Sequence, residues 1–163
     1  MKIGLALSGG GVRGIAHAGV IKALQEHRIE VRQISGTSAG ALVGALYAKG
    51  VRVEEIVHFF EKSNLFHPRT FAFRQAGFIN SSVFINQISD YIPENSFESL
   101  HIPLSVTATD LHTGELRIFK KGELYLSILA SAAFPGIFTP IEIEGNTYVD
   151  GGVLNNFPVD LLD

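Results

Sequence analysis

A serine lies between two glycines in the segment Gly36–Gly40, which reads Gly-Thr-Ser-Ala-Gly. Because an apolar stretch precedes this segment and small residues follow it, the pattern predicts a sharp turn from a strand into a helix, with the hydroxyl of Ser38 projecting from the sheet. Such a turn also directs the positive end of a helix toward the reacting centre. The motif predicts a nucleophilic serine. The alternative is a serine that only caps a helix at a tight turn.

A second motif consists of Gly9, Gly11 and Gly14, with Gly10 between the first two, and it follows a short apolar run. Glycines in such a turn allow backbone N–H groups to converge on negative charge. The same spacing occurs in dinucleotide-binding turns, where Glu30 would be the candidate for the ribose-binding acid. However, Glu30 comes at the start of the second strand, whereas that acid is expected at the strand's end. The motif therefore predicts a site for an anion or an oxyanion.

A third motif, Asp150 followed by Gly151 and Gly152, comes after an apolar strand. An aspartate before two glycines is most often a turn residue. A hydrolase triad in the chain order serine, acid, histidine cannot be completed with Asp150 as its acid, since no histidine follows it. Either the histidine lies beyond this sequence or Asp150 is itself the base. The six histidines match no compact metal motif and are His17, His27, His58, His67, His101 and His112.

The elements that must position these motifs alternate between strands and helices, which predicts an α/β fold with a parallel sheet. In the first half, Lys2–Leu7 is expected to be a strand buried on both faces. The other predicted elements of this half are a helix over 15–24, a strand at Arg32–Ser35, a small-residue helix over Ala39–Ala48 closed by Gly50, and a helix over Val53–Phe60.

The second half continues with mixed elements and a hairpin. A helix capped by Ser81 or Ser82 is expected to turn Phe84, Ile88 and Ile92 to one face. The remaining predicted elements are strands at Leu104–Thr109 and Leu116–Phe119, a helix over Leu124–Ala133 stopped by Pro135, and two strands joined by a turn at Gly145-Asn146.

A phenylalanine-rich stretch interrupts this pattern. Seven of the 12 phenylalanines lie between Phe59 and Phe84, and residues 64–82 form no periodic element. Their aromatic rings either pack onto the core from a loop or form a flap that contacts lipid, since long irregular loops are often functional.

Composition excludes several classes of protein. The 163 residues are 46% hydrophobic and suffice for one domain over residues 1–163. A net charge of -3 argues against a nucleic-acid partner, and the absence of cysteine excludes disulfides and thiolate sites. The sequence has no signal-type segment and no membrane span, so we expect a soluble, cytoplasmic protein that touches membrane surfaces transiently.

Taken together, the three motifs resemble those of the patatin-like phospholipases, in the same order and at similar spacing. The residues that carry the resemblance are Gly9–Gly14 with Arg13 at the family's basic position, Gly36–Gly40, and Asp150–Gly152. Two flanking segments, Ala130–Pro135 and Asn155–Val159, are also similar to those of the family. The resemblance extends from Ile3 to Val159.

The resemblance implies a three-layer α/β/α domain with a mainly parallel central sheet, and a catalytic dyad in place of a triad. Ser38 would be the nucleophile and Asp150 its proton acceptor. The N–H groups of Gly9, Gly10 and Gly11 would form the oxyanion hole. Arg13 would hold the glycine-rich turn or attract a phosphate headgroup. Members of the family hydrolyse acyl esters of phospholipids and neutral lipids, and this chemistry needs neither a metal nor another cofactor.

Two other functions stay open from the sequence: a nucleotide- or phosphate-binding module that uses Gly9–Gly14, and a catalytically silent relative that acts as an adaptor. One departure from the family is the end of the sequence at Asp163, where relatives continue into another helix and strand, so we expect a domain truncated at its C-terminus. Another is Ser8, which stands where many relatives carry an aspartate.

Overall fold

The structure is a computed structural model that describes residues 1–62 and 81–162. Most of the phenylalanine-rich stretch lies outside these residues, so neither hypothesis about it is tested. The described strands are β1 (Lys2–Leu7), β2 (Glu30–Thr37), β3 (Leu104–Asp110), β4 (Leu116–Phe119), β5 (Ile141–Ile143) and β6 (Asn146–Asp150). The described α-helices are α1 (Ile15–Glu26), α2 (Ala39–Lys49), α3 (Val53–Lys62), α4 (Ser81–Ser89) and α5 (Leu124–Ala132).

The strands form one mixed sheet in the order β1-β2-β3-β6-β5, and β4 also pairs with β3. The pairs β1–β2 and β2–β3 are parallel, while β4, β5 and β6 join antiparallel. Helices α2 and α5 pack against the central strands. Every residue of β3 is buried. By contrast, β1 lies at the edge of the sheet and leaves Gly4 exposed, so the prediction that it is buried on both faces was wrong.

The register of β3 brings the ends of two other strands together. Thr37, the last residue of β2, pairs with Thr107, and Asp150, the last residue of β6, pairs with the next residue, Ala108. Strand β4 pairs with both halves of β3, from Val106 to Thr109, and occupies its other edge. Strands β2 and β6 therefore run toward each other along the same edge of β3, and their carboxyl ends meet there.

The chain after β6 is held across the sheet by polar side chains of β2. Three alternate residues point to one face of this strand, as the period of two requires. Each donates a hydrogen bond to a carbonyl oxygen of the segment 155–161: Gln33 to Leu161 at 3.2 Å, Ser35 to Pro158 at 2.7 Å and Thr37 to Asn155 at 2.9 Å. These bonds fix the segment beside the site.

The hairpin of β5 and β6 turns one residue earlier than predicted. Ile143 pairs with Asn146, so the two turn residues are Glu144 and Gly145. Both have positive φ, at 52° and 82°, as a two-residue turn of this twist requires. Asn146 is the first residue of β6 and does not belong to the turn.

Candidate active site

Ser38 occupies the turn between β2 and α2 in a strained backbone conformation. Its φ is 54° and its ψ is -121°, a region that non-glycine residues rarely adopt. Glycine is required on both sides because the backbone approaches itself closely. A Cβ on Gly36 would lie 2.7 Å from the backbone of Ala41, and one on Gly40 would lie 2.1 Å from the carbonyl oxygen of Leu7. The sharp turn predicted for Gly36–Gly40 is therefore present.

The first turn of α2 and the last turn of α5 hold the backbone of Ser38. The Ser38 carbonyl accepts the N–H groups of Ala41 and Leu42 at 3.0 and 3.2 Å, so α2 begins at this residue. The Ser38 N–H donates to Oγ of Ser131, at the end of α5, over 2.7 Å. Since the positive end of the α2 dipole lies here, developing negative charge beside Ser38 is stabilised.

Asp150 ends β6 and is 4% exposed, while Ser38 is 7% exposed. The Asp150 Oδ1 accepts the N–H of Gly152 at 2.7 Å. Burial raises the pKa of the Asp150 carboxyl above its ordinary value of 3.8, and hydrogen bonds from the Gly152 N–H and the Ser38 side chain offset part of this rise. The arrangement pairs a serine hydroxyl with a carboxylate whose proton affinity exceeds that of an exposed aspartate.

The glycine-rich turn lies beside Ser38, but its three candidate N–H donors are not equivalent. The Gly9 N–H donates to the backbone oxygen of Asn156 at 3.1 Å and is therefore engaged. Within residues 1–62 and 81–162, the N–H groups of Gly10 and Gly11 donate to no backbone oxygen. Gly11 has a φ of 56°. Gly14 lets the turn pack on α2, since a Cβ there would lie 2.6 Å from that of Ala39.

These groups line a pocket of about 550 Å³. Its polar wall contains the glycine-rich turn, Arg13, Asn156 and the two residues Ser38 and Asp150, and its apolar wall contains Phe134, Ile137 and Phe138. Among the described residues, no histidine lines the pocket and no group of three side chains could hold a metal ion. A large apolar cavity with few convergent polar groups is typical of a site for a small molecule or an acyl chain.

Glu30, the candidate for a ribose-binding acid, lies away from this site. It begins β2, whereas the pocket lies where β2 ends. Its carboxylate forms an exposed ion pair with Arg32 at 2.8 Å. This position provides no support for a nucleotide at the glycine-rich turn.

Two residues of the site were missed by the sequence analysis, although both lie in segments that resemble the family. Ser131 is fully buried, and its Oγ accepts the backbone N–H of Ser38. The Asn156 side chain lies between two turns, because its Oδ1 would be 2.5 Å from a Cβ on Gly9 and 2.9 Å from one on Gly152. Neither residue belongs to a motif with recognisable chemistry, so only their similarity to the family's flanking segments could have identified them.

Comparison with solved structures defines the fold class. The structure of VipD from Legionella pneumophila superposes on 98% of this chain and 48% of that chain, with a TM-score of 0.71 at 18% identity. The type III effector protein ExoU matches 83% of this chain and 41% of that chain, with a TM-score of 0.57 at 20% identity. The predicted three-layer α/β/α fold is confirmed.

Sequence comparison shows the family. The model of the patatin-like phospholipases matches residues 5–163, so the chain belongs to the patatin-like phospholipase family. An uncharacterised NTE family protein of Mycobacterium bovis is 36% identical over 97% of this chain and 44% of its own length. Lysophospholipase NTE1 of Mycosarcoma maydis is 33% identical over 99% of this chain and 9% of its own length. The chain thus spans less than half of these curated relatives.

Proposed function

We propose that this chain is a serine acyl hydrolase that cleaves lipid esters, with Ser38 as nucleophile and Asp150 as proton acceptor. The observation that carries the proposal is the hydrogen bond between the Ser38 side chain and the buried Asp150 carboxylate, whose pKa is raised. Beside them lie the N–H groups of Gly10 and Gly11, which donate to no backbone oxygen of residues 1–62 and 81–162. A serine hydroxyl becomes a competent nucleophile when a neighbouring base removes its proton. Membership of the patatin-like phospholipase family and the lysophospholipase name of one relative support a lipid substrate.

The reaction would proceed in two halves. Asp150 accepts the hydroxyl proton while Ser38 Oγ bonds to the ester carbon, and the carbonyl oxygen becomes an oxyanion that accepts the N–H groups of Gly10 and Gly11. Collapse of this intermediate breaks the bond to the leaving alcohol, which takes the proton from Asp150. Water then attacks the acyl-enzyme, again giving its proton to Asp150, and the fatty acid leaves as Ser38 recovers its hydroxyl. Oxyanion donors of this kind each contribute about 100- to 1000-fold in rate.

Labelling by a fluorophosphonate followed by mass spectrometry tests the dyad. The wild type is expected to be labelled at Ser38, Ser38→Ala to be unlabelled, and Asp150→Asn to be labelled at least about 100-fold more slowly, since general-base catalysis contributes this much. Asp110→Asn is the matched control: its carboxylate is also buried and accepts two backbone N–H groups, but it lies outside the pocket lining. A folded wild type that resists labelling and hydrolyses no acyl ester would overturn the proposal in favour of an adaptor.

The pH dependence of hydrolysis tests the base separately. Because burial raises the pKa of Asp150, kcat/KM of the wild type is expected to fall as the pH decreases through a value above the ordinary 3.8 of an aspartate. A flat profile down to that ordinary value, measured with a soluble ester, would contradict Asp150 as the base.

We also propose that Arg13 attracts the phosphate of a phospholipid headgroup. Arg13 lines the pocket and is exposed, and it forms no ion pair with another residue in the described parts of the chain. Arg13→Gln is expected to lower kcat/KM for lysophosphatidylcholine about tenfold while leaving hydrolysis of a neutral nitrophenyl ester within about twofold, as a lost charge-assisted contact predicts. Equal losses on both substrates would assign Arg13 to holding the turn.

Contact with a lipid surface is proposed on the basis of the pocket mouth. Two of its apolar residues are well exposed, Phe134 at 52% and Ile137 at 38%. Among the described helices, none is long and apolar enough to cross a membrane. Co-sedimentation with phosphatidylcholine vesicles, weakened by Phe134→Ser but not by the exposed Val20→Ser on α1, is the expected result.

A further inference from the structure

The last turn of α5 contacts both residues of the proposed dyad through their backbones. Ser131 Oγ accepts the N–H of Ser38 at 2.7 Å, and two residues later the carbonyl oxygen of Ala133 accepts the N–H of Asp150 at 3.0 Å. The two acceptors belong to one short stretch of chain, so a single local structure is bonded to both backbones. The strands that carry Ser38 and Asp150 do not pair with each other.

The helix that presents these acceptors is itself firmly held. At its start, the N–H of Tyr125 donates to Asn95 Oδ1 at 2.7 Å, and the Tyr125 hydroxyl donates to the carbonyl of Ile92. Most of α5 is buried, including Ile128 and Ser131. A buried helix bonded at both ends moves little, because interiors are close-packed.

The hydrogen bond from the Ser38 N–H to Ser131 lies where a small displacement of the Ser38 backbone would change the position of its hydroxyl. Ser38 holds a strained φ of 54°, and such conformations persist only when their surroundings over-determine them. Loss of the acceptor would leave the buried Ser38 N–H unsatisfied and free the turn to relax. Relaxation of the turn would move the Ser38 hydroxyl relative to Asp150, and a misplacement of about 1 Å can reduce rates about 100-fold.

We propose that the end of α5 aligns the nucleophile with its base, and that Ser131 is a positioning residue for acyl transfer. This inference rests on the function proposed above. Ser131 does not touch the substrate in this role and takes no proton from it. It acts by fixing the backbone of Ser38, while the carbonyl of Ala133 fixes that of Asp150.

Two buried serines on α5 provide the test. Ser131→Ala removes the acceptor of the Ser38 N–H. Ser127→Ala, one turn earlier on the same helix, removes a buried hydroxyl that donates to the carbonyl of Glu123. Both variants lose the same atoms from the same buried helix, so their difference isolates the contact with the nucleophile turn.

We expect Ser131→Ala to lower kcat for a soluble nitrophenyl ester by about 10- to 100-fold with KM within about twofold, because alignment contributes to the transition state more than to binding. Ser127→Ala is expected to keep kcat within about twofold. The acid limb of the Ser131→Ala profile should also move to higher pH, because a displaced Ser38 hydroxyl no longer lowers the pKa of Asp150. Unfolding midpoints, measured in parallel, confirm that both variants are folded at the assay temperature.

Should Ser131→Ala not fold, Ser131→Thr and Ser131→Cys replace it. Threonine retains the oxygen acceptor and should keep most of the activity, while the weak sulfur acceptor of cysteine should lose most of it. Equal kcat values for Ser131→Ala and Ser127→Ala, or for the threonine and cysteine variants, would overturn the positioning role. Neither result would affect the proposed function, which is tested separately by labelling of the wild type and by hydrolysis with Ser38→Ala.

Discussion

The turn at Ser38 and the turn at Asp150 meet in one pocket but are destabilised by different physical effects. Ser38 has a strained backbone, with a φ of 54°, whereas Asp150 has a negative φ of -46° with a ψ of 130°. The energetic cost at Asp150 has another origin: burial disfavours the ionised form of its carboxyl group and so raises its pKa. The turn at Ser38 is strained in its backbone conformation, and the turn at Asp150 is destabilised by desolvation of its carboxylate.

Because the two effects differ in origin, we expect that a substitution can remove the backbone strain at Ser38 or the desolvation at Asp150 without removing the other. Backbone strain of this kind is of the order of 1–3 kcal/mol and does not depend on pH. The desolvation of Asp150 matters only when its carboxyl is ionised. Substitutions at the two turns should therefore differ in their pH dependence as well as in their size.

The largest effect is expected from Gly40→Ala, at the nucleophile turn. The new Cβ would lie 2.1 Å from the backbone oxygen of Leu7, which cannot move without displacing β1. We expect a loss of more than about 3 kcal/mol in the free energy of unfolding, or no folded protein, because such overpacking has no flexible side chain to absorb it.

Gly44→Ala, four residues further along α2, is the matched control for this substitution. Its Cβ would meet side-chain methyl groups of Ile34, Leu104 and Leu7, at 3.1, 3.2 and 3.5 Å. Its unfolding free energy in urea should stay within about 1 kcal/mol of wild type, since helix propensity favours alanine. Equal losses for the two variants would show that backbone crowding is not what requires glycine at position 40.

The next largest effect is expected from substitution of Thr37, whose hydroxyl links the end of β2 to β3 and to the segment that follows the turn at Asp150. Thr37 donates to the carbonyl of Asn155, so the Thr107 hydroxyl, 2.6 Å away, donates to Thr37. Thr37→Val should destabilise the fold by about 1–3 kcal/mol, because the buried Thr107 hydroxyl and the part-buried carbonyl of Asn155 lose their partner. Thr37→Ser, which retains the hydroxyl, should lose clearly less in the same urea titration. A serine variant as unstable as the valine variant would assign the effect to the methyl group.

A smaller effect is expected from relief of the backbone strain. Ser38→Gly and Ser38→Ala both remove the hydroxyl, but only glycine accepts a φ of 54° and a ψ of -121° without strain. The glycine variant should be the more stable of the two by about 1 kcal/mol, after allowing for its greater freedom when unfolded. Thermal unfolding at about pH 5 and about pH 8 should give the same difference. An alanine variant as stable as glycine would contradict strain at this turn.

The smallest effect concerns the charge at Asp150, since hydrogen bonds already offset part of its desolvation. A folded-state pKa above the ordinary 3.8 means that the protonated carboxyl favours the fold below that value, and that this contribution is lost as the pH rises through the raised pKa. Asp150→Asn, neutral at all pH values, should therefore have a higher unfolding midpoint than wild type at neutral pH.

The gain from Asp150→Asn should shrink as the pH falls toward the ordinary aspartate value. Asp110→Asn is not expected to raise the unfolding midpoint, because the wild-type Asp110 carboxylate accepts the N–H groups of His112 and Thr113 and the substitution disturbs these bonds. A gain for Asp150→Asn that persists unchanged in acid would contradict the electrostatic origin of the effect.

Much of the fold could be predicted from local patterns. The small-residue run after Ser38 predicts α2, and Gly50, with a φ of 91°, ends that helix as expected. The predicted strand Leu116–Phe119 agrees with β4 at both ends. The burial of β1 was mispredicted, because an apolar run looks the same at the edge of a sheet as at its centre. The hairpin turn was misplaced by one residue because Glu144 takes a positive φ that asparagine more commonly adopts.

Only part of the candidate site could be predicted from local sequence patterns. Motifs at residues 36–40 and 150–152 predict a candidate nucleophile and a candidate acid because glycines at a turn are a local requirement. That the Gly9 N–H is engaged by Asn156, and that Ser131 binds Ser38, depends on contacts between residues 147 and 93 positions apart. No local pattern reports such contacts.

The sequence by itself determined which residues could react and which turns must contain glycine, because side-chain chemistry and steric limits on φ and ψ act within a few residues. Only the tertiary structure decided that Ser38 and Asp150 meet. Their approach follows from the register of β3, in which Thr107 and Ala108 pair with two different strands, and from the last turn of α5. Register and helix docking arise from packing of the whole core, so the distance between Ser38 and Asp150 is a property of the folded chain.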